Sequence, residues 1–344
     1  MPFKRCLYVV ALAGCSISTS NPSDPGSPPD GDSPAGEGTS SLAVPDIQCA
    51  ATPDLGPAGE LRHTRSALIT ALGSPRHRGL DLVSTPSAAR QVLAGAISYT
   101  LADKALEDED VELFACVDGA WSGLGDARTD DEGRFALALE GSARLEIGMR
   151  DLYVSVVGDR TGARFLAYIA PPATRMVASD VDGTLTSSES TFVKTVVVGS
   201  ESLAQPGAAT AFRFLAERGY QPVYITARGQ QFVCDTRAWL AEQDFPRGPM
   251  MLAPSFITIP GGDTVDFKAG AMATIRTAGL VIAAGIGNRA SDVAAYVRAG
   301  LEPERIFIGT TEFADELAPD LEAGRATGFA TYDELRADRL TLLP

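Results

Sequence analysis

The sequence predicts an α/β chain, with a parallel sheet flanked by helices in the second half and a β-sandwich before it. Three observations carry this. From 173 onward, short apolar runs alternate with helical patterns, as in a parallel sheet whose crossovers are helices. From about 91 to 170 the runs are shorter and separated by acidic or glycine-containing turns, the pattern of an antiparallel sandwich. Between the two stands Met176-Val177-Ala178-Ser179, which runs into Asp180-Val181-Asp182-Gly183-Thr184. An apolar run that stops at a turn reads as a buried strand, and alternate residues of a strand point the same way. Asp180 and Asp182 are therefore expected to leave the strand end aimed at one spot. The carboxyl end of a parallel strand is where such sheets place ligands. Two close carboxylates need compensation, and a hard divalent cation such as Mg2+ is the simplest.

The chain opens with Lys4 and Arg5, then an apolar stretch ending Leu12-Ala13-Gly14-Cys15. A basic start, a short apolar core and small residues describe an export signal too short to span a bilayer. Leu12 to Cys15 resembles a bacterial lipobox, which implies cleavage before Cys15 and lipidation of its thiol. Residues 1–15 are read as a lipoprotein signal and 16–56 as a disordered linker rich in Pro, Ser and Gly. The boundaries that follow are 57–172 for the sandwich with a helical segment at its start, and 173–344 for the parallel-sheet domain. The expected location is the cell envelope, tethered to a membrane through the anchor.

A net charge of -15 over 344 residues argues against nucleic acid as a partner. The 45% hydrophobic content allows two substantial cores. No second apolar run is long enough for a transmembrane helix. Cys49, Cys116 and Cys234 have no metal-ligand spacing. One bridge is possible after export, without the sequence naming the pair, and Cys116 and Cys234 read as small buried residues. With only His63 and His77 in the chain, a histidine-based hydrolase is disfavoured.

A short helix is expected over 61–72, stopped by Gly73 and Pro75. The segment 73–79 reads as a basic, solvated turn. Sandwich strands are expected at 92–101, 111–117, 133–139, 144–147, 153–157 and 163–169, with Trp121 as a packed loop anchor. In the second domain strands are expected at 175–179, 221–226, 250–253, 280–286, 304–308 and 327–330. Helices are expected at 206–218, 229–243, 268–278, 289–299 and 331–338; Pro206 suits a first helical turn and Gly219 a position just past a helix end.

Four features converge on the strand ends. Beside the Asp180/Asp182 pair, Tyr224-Ile225-Thr226-Ala227-Arg228-Gly229 ends a strand in a hydroxyl before a helix, where hydroxyl and N–H groups suit phosphate oxygens. Lys268, in Asp266-Phe267-Lys268 before a helix, can neutralise a phosphate. Gly287-Asn288-Arg289-Ala290-Ser291-Asp292 follows an apolar strand and sets Asn288 and Asp292 four apart, on one helical face. Each has a plainer reading: Thr226 as a helix cap, Lys268 as a solvated lysine, Asn288 as a turn residue, Asp292 as a first-turn acid. Their joint occurrence, in this order, argues for a site.

That order, together with Gln243-Asp244-Phe245-Pro246-Arg247-Gly248, resembles the haloacid dehalogenase superfamily. The likeness is closest to lipin-type phosphatidate phosphatases and the LNS2-like C-terminal domain of membrane-associated phosphatidylinositol-transfer proteins, over roughly 176 to 310. Thr129 to Arg134 and Gly158 to Thr161 extend it into the sandwich. The resemblance implies a haloacid-dehalogenase-like Rossmannoid sheet and a Mg2+-dependent phosphomonoester hydrolase. Asp180 is the implied nucleophile, forming an aspartyl-phosphate, and Asp182 the general acid and then base. Mg2+ is the implied cofactor, held by Asp180, the Asp182 carbonyl and Asn288 with Asp292 behind. Thr226 and Lys268, with Gly183 and Arg228 beside them, are implied to hold the phosphoryl group. The implied substrate is a phospholipid, phosphatidate, or a phosphorylated small molecule. The transfer-protein relatives lack the nucleophile and bind phosphatidic acid. A non-catalytic binding module and a phosphatase for a soluble periplasmic ester therefore stand as the alternatives.

Overall fold

The structure, a computed structural model, describes residues 44–100, 102–187, 203–254 and 262–344. The expected signal, Cys15 and the linker up to 43 lie outside the described residues.

The first domain is a sandwich built from strands β1 (Asp46–Ile47), β2 (Arg78–Leu80), β3 (Leu82–Ser84), β4 (Arg90–Ala96), β5 (Ser98–Tyr99), β6 (Lys104–Ala105), β7 (Asp110–Val117), β8 (Ala120–Arg128), β9 (Arg134–Glu140), β10 (Gly148–Val156) and β11 (Gly162–Ile169). Helix α1 (Thr64–Leu72) precedes β2. One sheet has the order β3-β11-β10-β7-β8, with β1 added in parallel to β10; the other is β2-β4-β9. Leu93, Phe135, Leu113, Leu152 and Phe165 fill the space between them.

Several expectations are corrected here. The linker ends earlier than 56: Asp46 pairs with Met149, and Cys49 is joined to Cys116 by a disulfide. Trp121 lies on β8, not in a loop, because Asp118 and Gly119 both adopt positive φ and close a two-residue hairpin from β7. Its indole N–H donates to the Ala51 carbonyl at 2.7 Å, so it anchors the N-terminal strap. Residues 144–147 are not a strand; the strand starts at Gly148. The basic turn is not solvated: His77, Arg78 and Gly79 are buried, and the Arg78 guanidinium lies fork to fork with Asp103 at 2.7 and 2.8 Å.

The second domain is a six-stranded parallel sheet, β12 (Arg175–Ser179), β13 (Gln221–Gly229), β14 (Met250–Ala253), β15 (Val281–Gly287), β16 (Ile306–Gly309) and β17 (Thr327–Phe329), in the order β14-β13-β12-β15-β16-β17. Helices α2 (Ala208–Glu217), α3 (Val233–Glu242), α4 (Gly262–Thr277), α5 (Ala290–Arg298), α6 (Ala314–Glu322) and α7 (Tyr332–Asp338) cover it. Alternate residues of each strand feed two cores. Met176, Val223, Ile282 and Ile306 meet α4 and α5, whereas Val177, Tyr224, Ile286 and Phe307 meet α2, α3 and α7. Helix α4 starts six residues before the expected 268, which puts Lys268 inside the helix rather than ahead of it. Helix α6 was not expected, because Pro319 lies within it.

The domains share a core: Val83, Met149, Leu166 and Tyr168 of the sandwich pack with Met176 and Ile282 of the second domain. Asp81, with a fully buried side chain, accepts from Arg237 at 2.8 and 2.7 Å and from the backbone N–H groups of Leu166 and Met250. Arg247 pairs with both Asp46 and Asp151. Strand β12 is flanked by β13 and β15, whose chains wind away to opposite sides, so the carboxyl end of β12 is the switch point where such sheets open a crevice.

Candidate active site

Strand β12 ends at Ser179, so Asp180 and Asp182 stand just past it and not on its alternating face. Asp180 still donates its backbone N–H to the Ile286 carbonyl at 3.0 Å, which ties the turn to β15. Gly183 closes that turn at φ +72, a region costly for residues with a Cβ. A Cβ there would stand 2.2 Å from Nδ2 of Asn288.

All six expected residues of the carboxylate, hydroxyl, lysine and amide set meet here, in two hydrogen-bonded groups. Lys268, deep in α4, donates to Asp180 Oδ1 at 2.7 Å and to Asp292 Oδ1 at 2.5 Å. The other oxygen of Asp292 accepts from the backbone N–H groups of Asn288 and Arg289 at 3.0 and 3.1 Å and so caps α5. Gly287 allows this contact; a Cβ on it would meet the Asp292 side chain at 2.5 Å. Thr226, fully buried near the end of β13, donates to Asp182 Oδ2 at 3.1 Å. Arg228 grips Asp182 with Nε at 2.9 Å and Nη2 at 2.7 Å, while its Nη1 donates to the Thr236 hydroxyl at 3.0 Å. The structure thus places Arg228 on the acid/base candidate. This second layer of contacts, Arg228 and Thr236, was not legible as an Asp182 partnership in the sequence; the only signal was an arginine two residues past Thr226.

Three carboxylates, Asp180, Asp182 and Asp292, face two cations, Lys268 and Arg228. The imbalance falls on Asp180. Burial pushes its carboxyl up to about 7, aided by Asp292 and Asp182 and opposed by Lys268. Burial alone would lower Lys268, but the two carboxylates outweigh it and hold the ammonium above the ordinary lysine value.

The fit to a divalent cation rests on Asn288. Its Nδ2 is buried without a hydrogen-bond partner. The Thr184 hydroxyl, with one proton, faces two acceptors, Asp180 Oδ2 at 3.3 Å and Asn288 Oδ1 at 3.0 Å. Turning the amide by half a turn resolves both defects, since amide orientation is assigned from the network. Nδ2 then donates to Thr184, Thr184 donates to Asp180, and a carbonyl oxygen is left bare against the Gly183 turn. A bare carbonyl oxygen near a carboxylate cluster that is one charge too negative suits Mg2+. A cleft of about 290 Å³ opens there, lined by Gly183, Asn288, Gln205, Thr311, Glu312 and Tyr332. No cluster of three or more His, Cys, Asp or Glu side chains fit for a metal occurs among the described residues. A cation here therefore depends on the amide and backbone oxygens as well as on Asp180.

With the geometry in place, each domain can be matched: the second is similar to an LNS2 domain and the first to a PITM-type β-sandwich. Residues 177–309 match the family described as the LNS2 domain of PITM 1-3, and residues 75–169 match the PITM 1-3 beta-sandwich domain. Among curated proteins the chain is 26% identical over 235 residues to Protein retinal degeneration B of Drosophila melanogaster. It is 28% identical over 236 residues to Membrane-associated phosphatidylinositol transfer protein 1 of Homo sapiens. Each match spans 67% of this chain but 18% of the relative's length. Among solved structures, a D,D-heptose 1.7-bisphosphate phosphatase from B. bronchiseptica overlays on 48% of this chain and 98% of its own, at 16% identity and a TM-score of 0.39, too loose to carry weight.

Proposed function

We propose that this protein is a Mg2+-dependent phosphomonoester hydrolase that works through an aspartyl-phosphate, with phosphatidate as its substrate. The observation that carries this reading is the convergence at neighbouring strand ends of two hydrogen-bonded groups, Asp180 with Lys268, Asp292 and Asn288, and Asp182 with Thr226. In the first step an Asp180 oxygen attacks phosphorus as the bond to the leaving alcohol breaks, and Asp182 gives the leaving alkoxide its proton. In the second, Asp182 takes a proton from water, whose oxygen attacks phosphorus. The acyl-phosphate bond breaks and Asp180 is restored. Lys268 and Thr226 offset charge on the phosphoryl oxygens. Asp180, the Asp182 carbonyl and Asn288 would hold Mg2+, which supplies Lewis-acid neutralisation of the phosphoryl charge. The arriving phosphoryl dianion competes with Asp182 for Arg228, so Arg228 and Gly183 belong to the phosphate-binding rim.

The choice of a lipid substrate draws on the similarity to phosphatidylinositol transfer proteins and on Cys15, read as a lipidated anchor to the cell envelope. The test is phosphate release from phosphatidate micelles and from a panel of soluble phosphate esters, with Mg2+ and with EDTA. Turnover of phosphatidate that Asp180→Asn abolishes supports the reading. Turnover of soluble esters alone moves the substrate off the membrane. Absence of turnover on every phosphomonoester sinks the hydrolase. The second reading is a phosphatidic-acid-binding module, favoured by the Arg228 fork on the very carboxylate that must carry a proton. Co-sedimentation with phosphatidate liposomes without turnover would establish it.

A further inference from the structure

We propose that the β-sandwich belongs to the catalytic apparatus: Arg76 and Asp81 hold α3 so that Thr236 fixes Arg228, and Arg228 fixes Asp182. The inference rests on the hydrolase reading for what Asp182 does, but not for the coupling itself.

The links are all short. Thr236 is fully buried and takes Arg228 Nη1 at 3.0 Å. The residues on either side of it are the two α3 residues tied to the sandwich by ion pairs. Asp235 pairs with Arg76 at 3.1 Å, and Arg237 with Asp81 at 2.7 Å. The sandwich ends of both pairs are rigid. The Arg76 N–H donates to the Ser98 carbonyl at 2.8 Å, and the Thr100 N–H donates to the Ser74 carbonyl at 2.9 Å. Asp81 is locked by backbone N–H groups from β11 and β14, one from each domain. A lone, partly exposed pair such as Arg76–Asp235 adds little to stability. Its value here is geometric, because it sets the start of a helix whose second polar residue orients a guanidinium.

That guanidinium is the only side chain among the described residues seen to hold Asp182 with two nitrogens. Acid–base catalysis depends on placement to a fraction of an ångström. Arg76, Asp81 and Thr236 are thus positioning residues, and none of them touches the reacting atoms.

The test uses the full chain with Arg76→Met, Thr236→Val and the exchange Arg76→Asp/Asp235→Arg. Two quantities are read: kcat and KM on phosphatidate with Mg2+, and the 15N–1H resonance of Arg228 Nε, assigned by its loss in Arg228→Lys. Arg76→Met and Thr236→Val should each lower kcat about tenfold with KM within about twofold, a loss of positioning and not of binding. Both should also broaden the Arg228 resonance, and the exchange should restore the two readouts together. Arg76→Met and Thr236→Val proteins that melt as the parent does, yet keep its kcat and its Arg228 resonance, overturn the proposal. A parent that turns over no phosphomonoester removes the hydrolase reading instead, and the resonance alone then decides the coupling.

Discussion

Asp180→Asn should make the protein more stable in the absence of divalent cations, although it removes the proposed nucleophile. The carboxyl of Asp180 is pushed up to about 7 by burial and by Asp292 and Asp182. In the unfolded chain it titrates at its ordinary value of 3.8. A carboxyl raised in the folded state favours folding while it is protonated, and that contribution is lost as pH climbs from the unfolded value through the folded one. About three units at 1.36 kcal/mol each gives at most about 4 kcal/mol of instability carried by ionised Asp180 at pH 8. Asparagine has no such charge, and Lys268 keeps Asp292 as its partner. The assay is denaturant unfolding of parent and variant in EDTA from pH 4 to 8. The curves should coincide near pH 4 and part by several kcal/mol at pH 8, about 10 °C in melting temperature for a domain of this size. Saturating Mg2+ should close the gap by stabilising the parent alone. A variant no more stable than the parent at pH 8 in EDTA would refute the charge imbalance on which the metal assignment stands.

Three other outcomes follow from the same structure. Lys268→Met should cost about 3–5 kcal/mol, because it strips the counter-charge from two buried carboxylates; Asp180→Asn added to it should recover part, measured as a double-mutant coupling in urea. Replacing both Cys49 and Cys116 by Ala opens a loop with a sequence separation of 67. Chain entropy sets the loss at about 4 kcal/mol, and an unchanged unfolding midpoint would count against the bridge as a stabilising staple. Gly183→Ala forces a Cβ onto the Asn288 amide at a positive φ. It should cost about 1–2 kcal/mol of stability and weaken Mg2+ binding about tenfold by calorimetry.

The parallel sheet was legible because its strands are buried on both faces. Met176-Val177-Ala178, Val223-Tyr224-Ile225 and Ile306-Phe307-Ile308 are unbroken apolar runs, and they feed two separate cores. The site was legible for a related reason: its side chains sit within a few residues of strand ends that can be located, apart from Lys268, which lies in α4. The missed elements lack such marks. Strand β8 has no fully buried residue, and its partly buried positions recur every third residue, so no alternation betrays it and the Asp118-Gly119 turn was the one local signal. Strand β2 hides within a basic run, because what buries Arg78 is Asp103, 25 residues on. Helix α6 runs through Pro319, which local propensity reads as a stop. The Cys49–Cys116 pair and the Arg228 grip on Asp182 are long-range facts of the same kind. Residue type shows that each could bond, and only the fold shows with what.

The hydrolase and the binding module use the same residues, so what separates them is whether Asp182 is free to act. A binder needs only the phosphate cradle, Thr226 and Lys268 with the turn after Asp180. A hydrolase also needs an Asp182 oxygen to face the leaving alkoxide, and here both oxygens are taken by Arg228 and Thr226. Turnover thus needs one oxygen of Asp182 to pass to the alkoxide while Arg228 keeps hold of the other. Phosphoryl oxygens offer Arg228 a partner of equal geometry and greater charge. Thr236 can keep Nη1 while the rest of the fork turns, so release does not require α3 to move. Arg228→Lys separates the readings: without the fork, a binder loses affinity alone, whereas a hydrolase loses the order in which Asp182 is held and released. In a hydrolase kcat should fall further than affinity does.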